Sequence, residues 1–146
     1  ALADRPAAWE QLRRDRSLVP TAVEETLRWT TPVVSFMRTA TRDAELGGQA
    51  IREGDPVLLL YTSANRDERQ FGPTADRFDI GRDPNHHVAF GFGAHSCIGA
   101  TLARIEARQL LEELLDRFET VQPAGDVERS HSAVIAGVKR APLVFR

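Results

Sequence analysis

Cysteine is almost missing from this chain: Cys97 is the only one among 146 residues. That excludes an internal disulfide and makes an intracellular, cytoplasmic setting the default. Methionine is equally scarce. Met37 is the only one, and the first residue is alanine, so the chain is expected to be a piece of a longer, processed or truncated product. Long hydrophobic runs are absent. The longest, "PVLLLY" at 56–61, is far too short to span a bilayer, and there is no signal-peptide pattern or membrane anchor. Neither charge is in excess. A formal net charge of −2 gives no footing for nucleic-acid or membrane-surface binding. Low-complexity tracts and internal repeats are missing too.

What is present suffices for one domain with a core, since 42% of residues are apolar. "LADRPAAWEQLRRD" predicts a short helix, with Asp4 as a candidate cap, Pro6 in its first turn and Trp9 and Leu12 on one face. "VPTAVEETLRWT" predicts a second, started near Pro20 and ended by Pro32. From Val33 the chain turns β-branched. "VVSFMRTATRDAEL" and "PVLLLY", separated by the turn signals "GGQ" and "EGDP", predict a small antiparallel sheet. "TSANRDERQFG" has room for a short helix. Beyond it, little periodicity survives until His87, with Phe71, Phe78 and Ile80 as the expected anchors. So long an irregular segment is usually functional. After Cys97 comes the strongest helical pattern. Ile98, Leu102, Ile105, Leu110, Leu114 and Phe118 mark an apolar face. The tail "HSAVIAGVKRAPLVFR" predicts a hairpin turning around Gly137 to Pro142. The fold class is therefore mainly α with small antiparallel β-sheets, an α+β arrangement, in a single unit over 1–146.

The scarce cysteine sits in "FGFGAHSCIG", residues 90–99. A lone cysteine is ordinarily a small buried hydrophobe. Here its neighbours argue otherwise. Gly91, Gly93 and Gly99 leave the backbone bare, so a large flat group can approach closely. The start of a long helix favours an anion, and a thiolate is one. Three roles fit: nucleophile, redox sensor or metal ligand. A nucleophile needs a general base, and His95 at i−2 is poorly placed for that. Zinc needs more ligands than one cysteine and the scattered His86 and His87. A single thiolate suffices when a macrocycle fills the equatorial positions of the metal, as in heme.

Phe90, Gly93, Cys97 and Gly99 reproduce F-x-x-G-x-x-x-C-x-G. This resembles the heme-binding loop of the cytochromes P-450, the heme-thiolate monooxygenases. Two further segments resemble that family in the right order. Glu25 and Arg28 of "EETLR" match its E-x-x-R, and Arg77 of "ADRFD" matches the arginine that completes a Glu–Arg–Arg cluster. For E-x-x-R alone, a surface ion pair is the plainer reading. The resemblance spans nearly the whole chain but only about the C-terminal third of the family's domain, and it implies that part of the P-450 fold.

The resemblance implies heme b held by Cys97 as axial ligand, with Phe90 packed near the sulfur and amides after Cys97 donating to it. It implies His95 and the strand arginine Arg38 as propionate partners. His87 is a weaker candidate that either does the same or only orders the loop. "PVVSF", with Val33, Val34 and Phe36, and "SAVI", with Val134, match substrate-contact positions, though ordinary core or turn roles fit each as well. A small lipophilic substrate, such as a sterol or branched lipid, follows. So do electrons from NAD(P)H through ferredoxin and ferredoxin reductase, with Arg104 and Arg108 as docking candidates or merely a solvated face. The pattern [AG]-G-x-[DE]-T, the acid–alcohol pair that delivers protons to oxygen, does not occur in these residues. Two other readings therefore stand beside the monooxygenase: a non-catalytic heme-binding remnant, and a heme-free redox-responsive thiol domain.

Overall fold

A computed structural model describes all residues, 1–146. Helix α1 spans Pro6–Arg14 and α2 spans Val19–Thr30. Strand β1 (Ser35–Thr39) pairs antiparallel with β4 (Pro56–Leu60), and between them β2 (Ala44–Leu46) pairs with β3 (Gln49–Ile51). Two single-turn helices follow, α3 (Tyr61–Ala64) and α4 (Glu68–Phe71). An irregular stretch then leads to α5, Ala100–Arg117. Strands β5 (Val121–Pro123), β6 (Glu128–Arg129), β7 (Val138–Arg140) and β8 (Leu143–Phe145) complete the chain.

The core lies where α1, α2 and α5 meet. Trp9 and Leu12 of α1, Val19, Ala22 and Val23 of α2, and Leu111 and Leu115 of α5 close on Ile80 and Val121. The Trp9 indole N–H donates to the Glu119 carbonyl at 3.0 Å, which satisfies its one polar atom. Ile80 carries the irregular segment into this core, and Phe71 is buried against the guanidiniums of Arg28 and Arg82.

Several expectations need correction. Asp4 does not cap α1. It belongs to a 3-10 turn, Leu2–Asp4, and Arg5 stands at the N-cap without a side-chain bond. The predicted sheet is two separate two-stranded ladders, because the Gly47–Gly48 turn folds β2 back on β3. The tail is not a hairpin of its own. Strand β7 pairs with β6 and β8 pairs with β5, so the hairpin tip is the 131–136 segment rather than the turn at 137–142. The apolar face of α5 is split. Leu111 and Leu115 are buried, but Ile98, Leu102, Ile105 and Leu110 are exposed. A helix facing two neighbours carries two apolar stripes, and only one stripe meets α1 and α2 here. Only 18 of 146 residues are buried although 42% are apolar, so much apolar surface stays uncovered, as expected of part of a larger domain.

Candidate heme-thiolate loop and its support

The E-x-x-R pair is no surface ion pair. Glu25 and Arg28 lie one turn apart on α2 and are both fully buried. Arg28 uses all five of its N–H donors. Its Nε and one Nη2 hydrogen reach the two Glu25 oxygens, both at 2.7 Å. The others reach the carbonyls of Asn65 (2.7 Å), Ala75 (2.8 Å) and Arg77 (2.8 Å). Burial by itself would raise the Glu25 carboxyl. The hydrogen bonds from Arg28 and the Asp79 amide, with the charges of Arg28 and Arg82, outweigh it and hold the group below the usual carboxylate range.

The third member of the cluster is Arg82, not Arg77. Arg82 Nε lies 3.1 Å from Glu25 Oε2 and its side chain is buried. The Arg77 side chain is exposed, and that residue contributes its carbonyl instead. The reason is local: the Asp79 N–H donates to Glu25 Oε1 at 2.8 Å, Ile80 enters the core, and the chain turns Arg82 inward. Asn85 is a fourth partner of Glu25, its Nδ2 donating to Oε2 at 3.1 Å. Asn65, which sequence reasoning also missed, ties the end of α2 to the approach of the cysteine loop. Its Nδ2 donates to Thr31 Oγ1 (3.0 Å) and its Oδ1 accepts the Val88 N–H (2.8 Å). "SANRDE" carried no signal for it beyond a polar residue between two short helices.

From Val88 the chain enters the loop. The Gly91 N–H donates to the Val88 carbonyl, 2.9 Å, and the Cys97 N–H to the Phe90 carbonyl, 2.8 Å, which closes the loop at its base. Gly91 (φ 74°) and Gly93 (φ 73°) occupy the left-handed region that glycine alone enters freely. A side chain at Gly91 would also sit 3.5 Å from the His95 carbonyl. Gly99 is different. It stands at the N-cap of α5 with an ordinary φ of −84°, and a Cβ there would lie 3.8 Å from the Cys97 sulfur, an ordinary contact. The Ala100 amide donates to the Cys97 carbonyl (3.2 Å) rather than to its sulfur, contrary to expectation.

Cys97 itself is exposed. Close to it in sequence, Phe92 is 89% exposed and Ile98 104%, with Leu102 of α5 also uncovered. An exposed thiol on bare backbone between uncovered apolar side chains suits a large, flat, apolar group with a metal at its centre. Zinc is not suited, since no three His, Cys, Asp or Glu side chains gather in a metal-holding cluster.

The other expected site residues fall in two groups. Val33, Val34 and Phe36 are brought to the hairpin tip. Val33 bridges Ile135, the Val34 N–H donates to the Val134 carbonyl at 2.7 Å, and Ser35 Oγ to the Ala133 carbonyl at 3.0 Å. The exposed Phe36 and Val134 thus belong to one apolar patch, and Phe36 meets Tyr61 edge-on, 6.1 Å between centroids. Tyr61 in turn reaches towards Gly91. Arg38 lies on β1 with its guanidinium over the Phe36 ring, and His95 is exposed in the 3-10 turn Gly93–His95.

His87 is not presented at the loop surface. Its side chain is 2% exposed and its Nε2 lies 3.1 Å from Glu24 Oε2. Arg104 is occupied as well, with Nε and Nη2 on Glu24 at 2.7 and 2.9 Å, and Arg108 pairs with Glu112. Burial pushes His87 below the usual histidine range, against the pull of the Glu24 carboxylate. The unfolded chain therefore takes the proton first. Stability is complete above the unfolded value near 6.5 and is lost as pH falls through the folded value. Melting temperature measured against pH should decline below about pH 6.5, and His87→Gln should flatten that decline. A slope unchanged by the substitution would assign it elsewhere.

The sequence profile described as Cytochrome P450 matches residues 2–144. The putative cytochrome P450 126 of Mycobacterium tuberculosis (strain ATCC 25618 / H37Rv) is 47% identical over 146 residues, 100% of this chain and 35% of its own. The steroid C26-monooxygenase of Mycolicibacterium smegmatis (strain ATCC 700084 / mc(2)155) is 43% identical over 139 residues, 94% of this chain and 34% of its own. The crystal structure of CYP108D1 from Novosphingobium aromaticivorans DSM12444 superposes with a TM-score of 0.92 at 46% identity, over 99% of this chain and 35% of that one. The chain thus spans about a third of the length of the relatives it matches.

Proposed function

The chain belongs to the cytochrome P450 family, and on that premise we propose that Cys97 is the axial thiolate of a heme b iron in a monooxygenase acting on a lipophilic substrate. The observation that carries this is the exposed Cys97 on a loop closed at its base, opened by two left-handed glycines and flanked by uncovered Phe92 and Ile98. When bound, the heme supplies dioxygen activation, fed by electrons from NAD(P)H through a ferredoxin and its reductase.

The chain's own residues do the rest. The bond from the Cys97 N–H to the Phe90 carbonyl holds the sulfur in one place. The Glu25–Arg28–Arg82 cluster fixes the preceding irregular segment, so the loop starts from a rigid base. Arg38 and His95 offer a cation and a donor to the two heme carboxylates. Val33, Val34, Phe36 and Val134 present an apolar wall, which excludes water and suits a lipophilic substrate. The steroid C26-monooxygenase relative supports a sterol over a branched lipid as that substrate. Residues 1–146 act as the C-terminal portion of one domain. The acid–alcohol pair is not among them, so the isolated chain turns over little substrate.

The test is spectroscopic. The full-length protein, loaded with heme, reduced and treated with carbon monoxide, should show the red-shifted Soret band of a thiolate-ligated complex. A complex without that band overturns the assignment.

A further inference from the structure

Both flanks of Phe90 are gripped, and both grips end at one carboxylate. On one side, the Ala89 N–H donates to His87 Nδ1 at 3.2 Å. That nitrogen must then be bare, so the ring proton is on Nε2 and donates to Glu24 Oε2 at 3.1 Å. On the other side, the Arg104 guanidinium lies 4.7 Å from the centroid of the Phe90 ring. Glu24 aims that guanidinium through two charge-assisted bonds, at 2.7 and 2.9 Å. Phe90 between the grips supplies the carbonyl that takes the Cys97 N–H.

We propose that Glu24 is a positioning residue for the iron ligand, setting the placement of Cys97 through His87 and Arg104 by way of Phe90. The inference rests on Cys97 being the axial ligand. The competing explanation is an ordinary ion pair joining α2 to α5. With side chains 28% and 40% exposed, such a pair would contribute little, and its loss would leave the loop untouched. What favours positioning is that the pair does not end on itself: the same carboxylate holds the His87 ring, and the same guanidinium covers Phe90. Neither residue belongs to E-x-x-R or to the cysteine motif.

The experiment uses the full-length, heme-loaded protein. Wild type, Glu24→Gln, Arg104→Gln and Arg104→Lys are compared, with Arg108→Gln as a control that changes charge on the same helix face without touching the loop. Three quantities are read: amide exchange across residues 86–97, the ferric/ferrous potential, and the share of the reduced carbon monoxide complex with the red-shifted band. Glu24→Gln should speed exchange at Ala89 and Cys97 about tenfold, the factor that corresponds to losing one charge-assisted hydrogen bond. It should also raise the potential, because the Arg104 charge is left unmatched and disfavours the ferric state. Arg104→Gln should speed the same amides from the other side, while exchange in α1 stays at the wild-type rate. Arg104→Lys should not restore the loop, since an ammonium cannot bond bidentately and cover a ring at once. If Glu24→Gln matches Arg108→Gln in exchange and potential, Glu24 is an ion-pair partner only and the inference is overturned. If wild type lacks the red-shifted band, the ligand assignment falls first and this inference falls with it.

Discussion

Glu25→Gln should cost the full-length protein about 3–5 kcal/mol of stability, measured from denaturant midpoints at neutral pH. The substitution keeps the shape of the side chain and removes one negative charge. Two guanidiniums, those of Arg28 and Arg82, are then left buried without a counter-ion. Both also flank Phe71, with guanidinium carbons 5.1 and 5.9 Å from its ring centroid, so neither has water to turn to. An amide also replaces one acceptor oxygen with a donor, set against Arg28, Arg82 or the Asp79 amide. The exposed pair of Glu113 and Arg117 gives the comparison. There the same change should cost about 0.3–0.5 kcal/mol, because water replaces the lost partner. Equal losses at the two sites would show that the buried cluster carries no special weight. Substituting the whole cluster with apolar residues offers no escape, since Arg28 also satisfies three carbonyls from the irregular segment.

Cys97→Ala should have the opposite profile. The thiolate signature of the reduced carbon monoxide complex should vanish entirely, while the heme-free fold changes by no more than about 0.5 kcal/mol. The thiol is exposed, and the loop is closed by the Cys97 amide rather than by its sulfur. Alanine keeps that amide and fits the local backbone. Spectrum and stability are therefore separable: the Glu25 change acts on one and the Cys97 change on the other. Cys97→Ala removes the only thiol in this chain, so a red-shifted band that survives it would overturn Cys97 as the iron ligand.

The parts of the fold that repeat a pattern were legible from the residues alone. Helix α2 begins and ends within its predicted segment, and Glu25 and Arg28 pair as their spacing requires. Strands β1 and β4 also fall where β-branched and aliphatic residues cluster. What escaped depends on how distant pieces fold back. Arg77 and Arg82 stand five residues apart in a segment without periodicity. Only the inward turn at Asp79 and Ile80 decides which guanidinium reaches Glu25. The stripe of Ile98, Leu102 and Ile105 reads as a core face by composition, but nothing in one helix says which neighbour covers it. Glu24 and Asn65 were overlooked for a related reason: their partners lie up to 80 residues away. The family resemblance reached the cysteine and the E-x-x-R pair and is matched by the relatives, whereas these supports lie outside any short motif.

The five-bonded arginine has a consequence for synthesis. Its partners outside α2 lie 37, 47 and 49 residues downstream, so while α2 is being made none of them exists. As the chain leaves the ribosome from its N-terminal end, Arg28 waits with only Glu25 for company. Closure becomes possible once Arg77 has emerged and is complete with Arg82, fifteen residues ahead of the cysteine. The order of translation thus builds the base before the loop that stands on it. A ribosome paused before residue 75 should display an α2 that is still open to proteases.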